Sequence, residues 1–587
     1  MKVIGDVDNL PVIMKKNEGI IAVLFVAIFV FAFNFEAIFG LDVLLLDDNS
    51  RYRSAVSGNI VIDHFLNKSL PSAMFKALNM KLMLLGMEVA RLSYLLLFAI
   101  PLSLALYYFN RRVLDLDLVP SLVSAVIVNI LPFQLHIPKF IDGSYPVRGL
   151  FFLFLSLIFA TKFLKNGRMV LLGLSAAFWY LSSHAFAEFG IILFPALLFL
   201  FVLFEGKVGK KVVLISVFLL VLAPSVSYYF SNDRNSSTPV SNDFATIALR
   251  IKNTVEKGAI FDISTQVKRS DVKKFVDEIQ KGRLFDGYAE NKNLYFASFK
   301  VLAIVGGIVG IWLLGFLVSM KGAEGRQKRQ VLLLYGFYLV FGVCALAPFW
   351  TISPRFGVRY LYTPFVAFWP LVVFSLYAIL VTIRMPKKLI FVLFVCMLCL
   401  AGFNRHVNQE KENQVYNKKN QGIQRAVNGF GEIRQGGQIV IANKKNGTGG
   451  FFIWSTGYLQ YMLKRGDVVG LIGAEKNFYD PFNVKHRGYS YKMEGLELDK
   501  PLYAALFRGA KYYQPDYFLR WQNEKSSKSS WTLFEKDETS DLLKVMLEGE
   551  GIDEYKESLE LHSIRPEEVL WGNYERKNAL KGFKNGA

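Results

Sequence analysis

Two adjacent carboxylates and two arginines stand directly after the first long apolar segment of the chain. Asp47 and Asp48 are followed by Arg51 and Arg53 in the stretch LLLDDNSRYR, which begins at Leu44. Paired acids can activate a hydroxyl or hold a cation, and guanidinium groups can bind a phosphate. Adjacent like charges also lower stability, unless a nearby opposite charge offsets the repulsion or a functional role explains why they are kept. The stretch therefore predicts a catalytic site at a membrane surface.

The composition indicates a membrane protein. The 587 residues are 53% hydrophobic, with a mean hydropathy of +0.31, an apolar excess over ordinary soluble domains. The formal net charge of +20 fits Lys and Arg gathered in cytoplasmic loops. The sequence has no nucleic-acid-binding motif, so we expect no nucleic-acid partner. The 52 Phe residues are predicted at lipid-facing and interfacial positions.

About eleven apolar segments are predicted to cross the membrane as helices. They are residues 19–33, 82–109, 118–135, 150–163, 170–181, 191–204, 212–230, 299–318, 331–349, 365–381 and 389–403. Six basic clusters lie in alternate connections between these segments, at 15–16, 111–112, 162–168, 207–211, 321–329 and 384–388. The positive-inside rule then puts the amino end in the cytoplasm and the carboxyl end outside.

The predicted organisation is a cytoplasmic amino terminus, a transmembrane domain and an external soluble domain. They comprise residues 1–18, 19–403 and 404–587, with large external loops at 34–81 and 231–298. Residues 60–81 are amphipathic and predict helices on the membrane surface, and the 231–298 loop predicts a helix over 270–282. The tail predicts a small α/β domain, with strands at 438–442, 468–472, 517–521 and 531–534 and a helix at 456–464.

Further polar residues are predicted on the external side with the acidic pair, as substrate-binding candidates. They are Lys139, Asp142, Tyr145 and Arg148 in the second external loop, His184 and Glu188 at the end of the fifth span, and Arg355, Arg359 and Tyr360 in the last short loop. His184 and Glu188 are one turn apart if their helix continues. A hydrogen-bonded pair that holds helices together is an equally good interpretation of His184 and Glu188. Lys139 and Arg148 also fit side chains that extend to lipid headgroups at helix ends.

The Asp-Asp-x-x-Arg-Tyr-Arg stretch, the surface helices before the second span and the Arg-Tyr motif before a late helix resemble the GT-C superfamily of integral-membrane glycosyltransferases. The same stretch, with Gly58 soon after it, is similar to the GtrII-type bacterial glucosyltransferases that modify O-antigen. The resemblance covers roughly residues 15–403 in architecture. It implies that a sugar is taken from a polyprenyl-phosphate carrier and transferred on the extracytoplasmic side.

The chemistry of such a transfer fits the residues. Attack of an acceptor hydroxyl on an anomeric carbon needs a base, and Asp47 or Asp48 suits that role, with Asp48 preferred. The lipid phosphate leaving group needs positive charge, which Arg355 and Arg359 can supply. One base without a carboxylate nucleophile predicts inversion. The second aspartate, Asp47, orients the base, binds a sugar hydroxyl or ligates Mg²⁺ or Mn²⁺.

The predicted acceptor is a glycan, a lipid or a protein outside the cytoplasm, and membrane lipids surround the chain. The absence of external cysteines favours a bacterial inner membrane, since Cys344, Cys396 and Cys399 all lie in apolar segments. Three alternatives stay open at this point: a polysaccharide polymerase or ligase, a transporter or flippase of lipid-linked sugars, and a non-catalytic scaffold. A transporter typically shows internal repeats and charges near mid-bilayer, and the sequence shows neither.

Overall fold

A computed structural model describes most of the helical part of the chain and four strands of the tail. The described residues are 12–41, 52, 70–130, 145–185, 187–231, 292–321, 323–351, 362–430, 438–443, 461, 469–474, 517–522 and 530–535. The predicted helix at 270–282 lies outside them, as does the predicted tail helix at 456–464 apart from Tyr461. The described chain is mainly helical, as its apolar runs predict.

The helices in chain order are α1 (Val12–Phe39), α2 (Leu70–Leu85), α3 (Met87–Tyr94), α4 (Ile100–Tyr108), α5 (Leu118–Ile127), α6 (Tyr145–Asn166), α7 (Met169–Ala185), α8 (Ala187–Leu203), α9 (Val208–Ser231), α10 (Lys292–Met320), α11 (Gly325–Thr351), α12 (Tyr362–Thr382) and α13 (Lys387–Phe430). Among the described residues, six helical segments are long and apolar enough to cross a membrane: α1, the rod from Met87 to Val113, α6, α11, α12 and α13. Shorter apolar helices lie within α5, α7, α8 and α10. The chain is thus compatible with a multi-pass membrane protein, and the count of eleven spans stays a prediction.

The second and third predicted spans are bounded by different residues in the structure. The second was predicted to begin at residue 82, but the rod begins at Met87, because Gly86 adopts a φ of 132° that separates it from α2. The rod combines α3 and α4 with π-helical turns at Leu95–Ala99 and Phe109–Val113. The third was predicted at 118–135, but α5 ends at Ile127. Its ten residues rise about 15 Å, roughly half the hydrocarbon thickness.

The basic clusters gather at one end of the helical bundle, which we call the basic end. Lys210 Nζ donates to the carbonyl of Leu164 at 3.4 Å, and Arg329 Nε donates to the carbonyl of Leu203 at 2.6 Å. These carbonyls belong to the last turns of α6 and α8, where unpaired carbonyls attract cations. The carboxyl ends of α6 and α8 therefore lie together. The cytoplasmic location of this end stays a prediction from the charge rule.

A buried ion pair joins α1 to the rod at the basic end. Arg111 Nε donates to Glu18 Oε1 at 2.6 Å, and the Tyr107 hydroxyl donates to the same oxygen at 2.9 Å. Arg111 Nη1 also donates to the Leu116 carbonyl at 2.8 Å. Because every charge in this group has a partner, it can be buried without the large cost of an isolated ion.

Phenylalanine fills the core of the bundle as well as its lipid-facing surface. Phe109, Phe154 and Phe337 are fully buried, and the Phe109 ring lies 5.3 Å from each of the other two rings. Trp179 stacks on Phe218 at 5.3 Å, and its indole N–H donates to the Phe218 carbonyl. The prediction that Phe serves lipid-facing and interfacial positions was therefore incomplete, since rings also pack the helices together.

The four predicted tail strands are confirmed. They are β1 (Gln438–Asn443), β2 (Val469–Ala474), β3 (Tyr517–Gln522) and β4 (Ser530–Glu535), in the order β2-β1-β3-β4. β1 pairs in parallel with β2 and β3, and β3 pairs antiparallel with β4. The α/β character of the whole tail stays a prediction.

The last helix runs from the bundle into the tail. The predicted domain boundary at 403/404 lies inside α13, whose 44 residues extend about 66 Å, twice the hydrocarbon thickness. β4 contacts α13. Hydropathy falls after residue 403 while the helix continues, and the division into two domains stays a prediction.

The close packing of α10 on α12 yields a test of the fold. A Cβ on Gly315 of α10 would lie 2.5 Å from the Ser375 Cα of α12, whereas a Cβ on Gly310 would meet nothing within 4 Å. Gly315→Ala should destabilise the protein by about 1–3 kcal/mol through overpacking. Gly310→Ala, on the same helix, should be neutral or slightly stabilising. Thermal melting of the two purified variants compares them, and equal melting temperatures would contradict this packing.

Candidate functional site

Only part of the predicted site falls within the described residues. Arg148 is described in full, and Tyr145, His184 and Glu188 are described as backbone positions in helices. The other candidates lie outside the described residues: Asp47, Asp48, Arg51, Arg53, Lys139, Asp142, Arg355, Arg359 and Tyr360. The structure therefore shows the site through the side chains that lie near the residues where the predicted external loops begin and end.

His184 and Glu188 do not share one helical face. His184 belongs to the last turn of α7 and Glu188 to the first turn of α8. The carboxyl ends of α6 and α8 lie together at the basic end, so α7 must leave that end and α8 must return to it. The two helices thus run in opposite directions. His184 and Glu188 are therefore not one turn apart on a continuing helix. The reversal follows a Ser-Ser-His-Ala run, in which serines are weak helix formers.

Arg148 is buried at the end of the bundle opposite the basic end. It lies in the first turn of α6 and is only 4% exposed. Its guanidinium carbon lies 5.2 Å from the centre of the Phe75 ring and 5.9 Å from that of Phe98. Both distances are typical of cation–π contacts, which hold a guanidinium by its face and leave its edge N–H groups for polar partners. These two rings are not its whole environment, since Arg148 makes further interactions.

Arg405 is a second buried arginine at this end, and the sequence analysis did not single it out. It is 4% exposed on α13 and donates from Nη2 to Asn34 Oδ1 at 3.1 Å. Asn34 in turn donates its amide to the Val30 carbonyl at 2.7 Å. This second bond fixes which end of the amide faces the arginine. The guanidinium is thereby held against α1 by one edge.

Two buried tyrosine hydroxyls lie among these charges. The Tyr94 hydroxyl is close enough to Arg148 and Arg405 to interact with both charges, and the Tyr362 hydroxyl interacts with Arg405. Tyr94 is 4% exposed and Tyr362 is fully buried. Neither hydroxyl has a hydrogen-bond partner among the described groups, nor does the buried hydroxyl of Thr363. We call Tyr94, Arg148, Tyr362 and Arg405 the arginine–tyrosine cluster.

A third arginine, Arg91, fixes the end of α1. It is fully buried, and Nη1 donates to the Leu41 carbonyl at 2.5 Å and to the Ile38 carbonyl at 3.4 Å. Carbonyls without a partner at a helix end attract a cation, so this contact stabilises both the guanidinium and the two carbonyls. Arg91 therefore determines where the chain leaves α1 and enters the first external loop.

The chain connects the cluster closely to the predicted catalytic loops. Asp47 is six positions after Leu41, so their Cα atoms are at most about 22 Å apart in any conformation. Arg359 precedes Tyr362 by three residues, which limits that separation to about 10 Å. The cluster and both predicted loops consequently belong to the same end of the bundle.

A contact between the first external loop and the tail lies at this end as well. The rings of Tyr52 and Tyr461 meet edge to face at 5.3 Å, and both pack on Met83 and Met87. Burial raises the pKa of the Tyr52 hydroxyl above its ordinary value, so the ring is neutral at physiological pH. Tyr52 stands between Arg51 and Arg53. The tail thus touches the loop that carries the predicted catalytic residues.

Arg91 and Arg405 are charged residues within or directly beside apolar segments, a feature that is visible in the sequence. Arg91 lies inside the predicted span 82–109, and Arg405 follows the predicted span 389–403 by two residues. Ionisable residues within or beside apolar spans are costly and usually have a functional or structural task. The tyrosines carried no comparable signal, because aromatic residues are common in such spans.

The basic end offers no comparable site among the described residues. A small cavity there, of about 30 Å³, is lined by Asp117, Ser319, Tyr335 and Tyr377. It has room for little more than water, and neither a sugar nor a lipid headgroup fits. No group of three metal-ligating side chains occurs within the described part of the chain. Asp47, the only metal ligand that the sequence predicts, lies outside that part.

Comparisons with known proteins include a weak structural likeness. No protein-family model matches the sequence, and no curated protein matches it. Among solved structures, the chain is similar to the archaeal oligosaccharyltransferase AglB from Archaeoglobus fulgidus, in complex with an inhibitory peptide and a dolichol-phosphate. The identity is 12%, the match covers 86% of this chain and 70% of that chain, and the TM-score is 0.47. A likeness at this score does not establish a shared fold.

The role of Arg91 predicts a stability effect. Arg91→Met removes the donor to two buried carbonyls and should lower the free energy of unfolding by about 1.5–3 kcal/mol, the range for bonds to charged groups. Arg112, an exposed arginine on the same rod, is the matched control, and Arg112→Met should change stability little. Denaturation of both purified variants measures the difference. An Arg91→Met protein as stable as the parent would contradict the anchoring role.

Proposed function

We propose that this protein is a membrane glycosyltransferase that moves a sugar from a polyprenyl-phosphate donor to an extracytoplasmic acceptor, with inversion at the anomeric carbon. The observation that carries the proposal is the arginine–tyrosine cluster. Two buried guanidinium groups lie at the end of the bundle from which the first external loop begins. The acidic pair of that loop supplies the base, and the cluster supplies the positive charge.

Burial explains why the arginines indicate an anionic ligand. Moving a charged side chain into an apolar bundle is expensive unless anions or dipoles compensate for it. Arg148 packs on two aromatic faces and Arg405 donates to a neutral amide, and both residues make other interactions as well. A phosphate at this end of the bundle would place a negative charge beside both guanidinium groups and accept bidentate hydrogen bonds from them. A polyprenyl phosphate also has a lipid tail, which suits a site at the end of membrane helices.

The reaction balances with one base and no general acid. An oxygen lone pair of the acceptor hydroxyl attacks the anomeric carbon, and a carboxylate of the acidic pair takes the hydroxyl proton. The bond between the anomeric carbon and the phosphate oxygen breaks, and its electron pair stays on the phosphate. The products are the glycosylated acceptor and the polyprenyl phosphate, whose extra negative charge the guanidinium groups stabilise.

The two aspartates have different roles in this proposal. We assign the base to Asp48, because Asp47 directly follows the apolar run at residues 44–46. Asp47 orients the base, binds a sugar hydroxyl or ligates Mg²⁺ or Mn²⁺. Arg355 and Arg359 bind the phosphate from the last short loop, and Arg51 and Arg53 pair with the second aspartate.

The location of the buried cations favours transfer over transport. Alternating-access transporters bind their substrate near the bilayer midplane, between repeats and at broken helices. Arg148 stands in the first turn of its helix, and Arg405 stands 18 residues after the start of α13 at Lys387, or about 27 Å along the axis. Both arginines therefore lie near one membrane surface. A polymerase or ligase that joins lipid-linked glycans would use the same surface and remains the second candidate.

The catalytic claim is tested by replacing each aspartate with its amide. Asp48→Asn keeps the shape of the side chain but removes its proton-accepting power, so turnover should fall by about 10²–10⁴. Asp47→Asn should show a smaller rate defect together with weaker donor binding or a greater need for metal. Purified protein, a polyprenyl-phosphate sugar and acceptor glycan provide the assay. Full activity in both variants would remove the catalytic role of the acidic pair.

A further inference from the structure

A row of polar side chains runs along α13 where it packs on α1. Arg405, Gln409, Asn413 and Asn417 follow one another at four-residue intervals, so they share one face of the helix. Three of them bond to α1 or its end. Arg405 donates to Asn34 Oδ1 at 3.1 Å, Asn413 to the Glu36 carbonyl at 2.8 Å, and Asn417 to the Gly40 carbonyl at 2.8 Å.

Gln409 is the exception in this row. It is fully buried, yet its amide nitrogen and its amide oxygen both have no hydrogen-bond partner in the described structure. The bonds of Arg405 and Asn413 on either side of it hold this part of α13 against α1. Gln409 therefore stands at a fixed position with one donor group and one acceptor atom unused.

Leaving a buried amide unpaired is unfavourable, so its retention calls for a reason. Each unsatisfied buried polar group costs about 1–3 kcal/mol, and an apolar residue of similar size would avoid that cost. An unsatisfied group in a native interior calls for an explanation, such as stored strain, a catalytic role or a bound water or ion, and a bound ligand is the explanation that we develop here. The amide also offers a donor and an acceptor side by side, which matches adjacent hydroxyl groups on a sugar ring.

Other unused hydroxyls lie near the same arginine. Tyr94 and Tyr362 both interact with the Arg405 charge, and neither hydroxyl has a described partner. Gln409 follows Arg405 by one helical turn. One region of the bundle end thus combines two cations with neutral groups that both donate and accept hydrogen bonds. A ligand that suits the cations and the neutral groups together is a hydroxyl-rich ring joined to an anion.

We propose that Gln409, Tyr94 and Tyr362 form the subsite that binds the ring hydroxyls of the donor sugar, while Arg148 and Arg405 bind its phosphate. This inference rests on the proposed function and adds residues that discriminate one sugar from another. The subsite forms hydrogen bonds only and makes or breaks no covalent bond. Its loss should therefore reduce the discrimination between donors without affecting how the lipid phosphate binds.

The test compares two ligand classes on purified full-length protein in nanodiscs. One is polyprenyl phosphate without a sugar, and the other is a panel of polyprenyl-phosphate hexoses and pentoses. The wild-type protein should bind at least one sugar-bearing lipid more tightly than the bare lipid. Gln409→Met keeps the length of the side chain without its polar atoms, and it should weaken binding of the preferred lipid about three- to tenfold, the worth of one to two hydrogen bonds. Binding of the bare lipid should be unchanged.

A stability measurement separates this role from a structural one. Because Gln409→Met removes an unsatisfied amide, its melting temperature should equal or exceed that of the parent. Asn417→Ala, which breaks the bond to the Gly40 carbonyl two turns beyond Gln409, is the matched control and should lower the melting temperature without altering the sugar preference. Unchanged sugar preference in Gln409→Met, or equal weakening of both lipid classes, would overturn the subsite. So would a wild-type protein that binds no sugar-bearing lipid more tightly than the bare lipid. Failure of the wild-type protein to bind any polyprenyl phosphate would instead refute the proposed function.

Discussion

Burial of guanidinium groups at one end of an apolar bundle is the constraint on which this structure depends. Arg91, Arg148 and Arg405 are each at most 4% exposed, and each is held differently. Helix-end carbonyls hold Arg91, aromatic faces hold Arg148, and an oriented amide holds Arg405. Carbonyls at a helix end satisfy a cation where it stands, so Arg91 is structural. Arg148 and Arg405 instead both interact with the buried hydroxyl of Tyr94, and we propose that these two arginines bind a ligand.

The helices that meet at this end explain how distant parts of the sequence reach one site. Arg91 fixes the end of α1. α13 lies along α1 and is held there by hydrogen bonds that side-chain amides of α13 donate to backbone carbonyls at the end of α1. α13 continues past the bundle and contacts β4 of the tail, while Tyr461 of the tail packs on Tyr52 of the first loop. The tail is therefore joined to the site by a helix and by an aromatic contact. Its position and the geometry of the first loop are physically coupled.

The sequence predicted what periodicity and hydropathy encode, and it missed what depends on tertiary contacts. The helical segments and the four tail strands follow from their apolar patterns. Arg148 is buried at the end of the bundle opposite the basic end, and its role in binding substrate stays a prediction. Arg405 was missed because it follows the hydropathy boundary at 403, although the helix continues beyond it. Gln409 was missed because an amide in a polar-looking segment carries no signal until its burial is known. The helix reversal between His184 and Glu188 likewise depends on how α6 and α8 pack at the basic end.

The most direct test of the account is to locate a bound lipid phosphate. Purified full-length protein in nanodiscs with polyprenyl phosphate would be imaged by electron cryomicroscopy, alongside a sample without the added lipid. The account predicts new headgroup density within hydrogen-bonding distance of the guanidinium groups of Arg148 and Arg405, about 2.7–3.2 Å between heavy atoms. Headgroup density at the basic end beside Lys210 and Arg329, with none near Arg148 and Arg405, would contradict it.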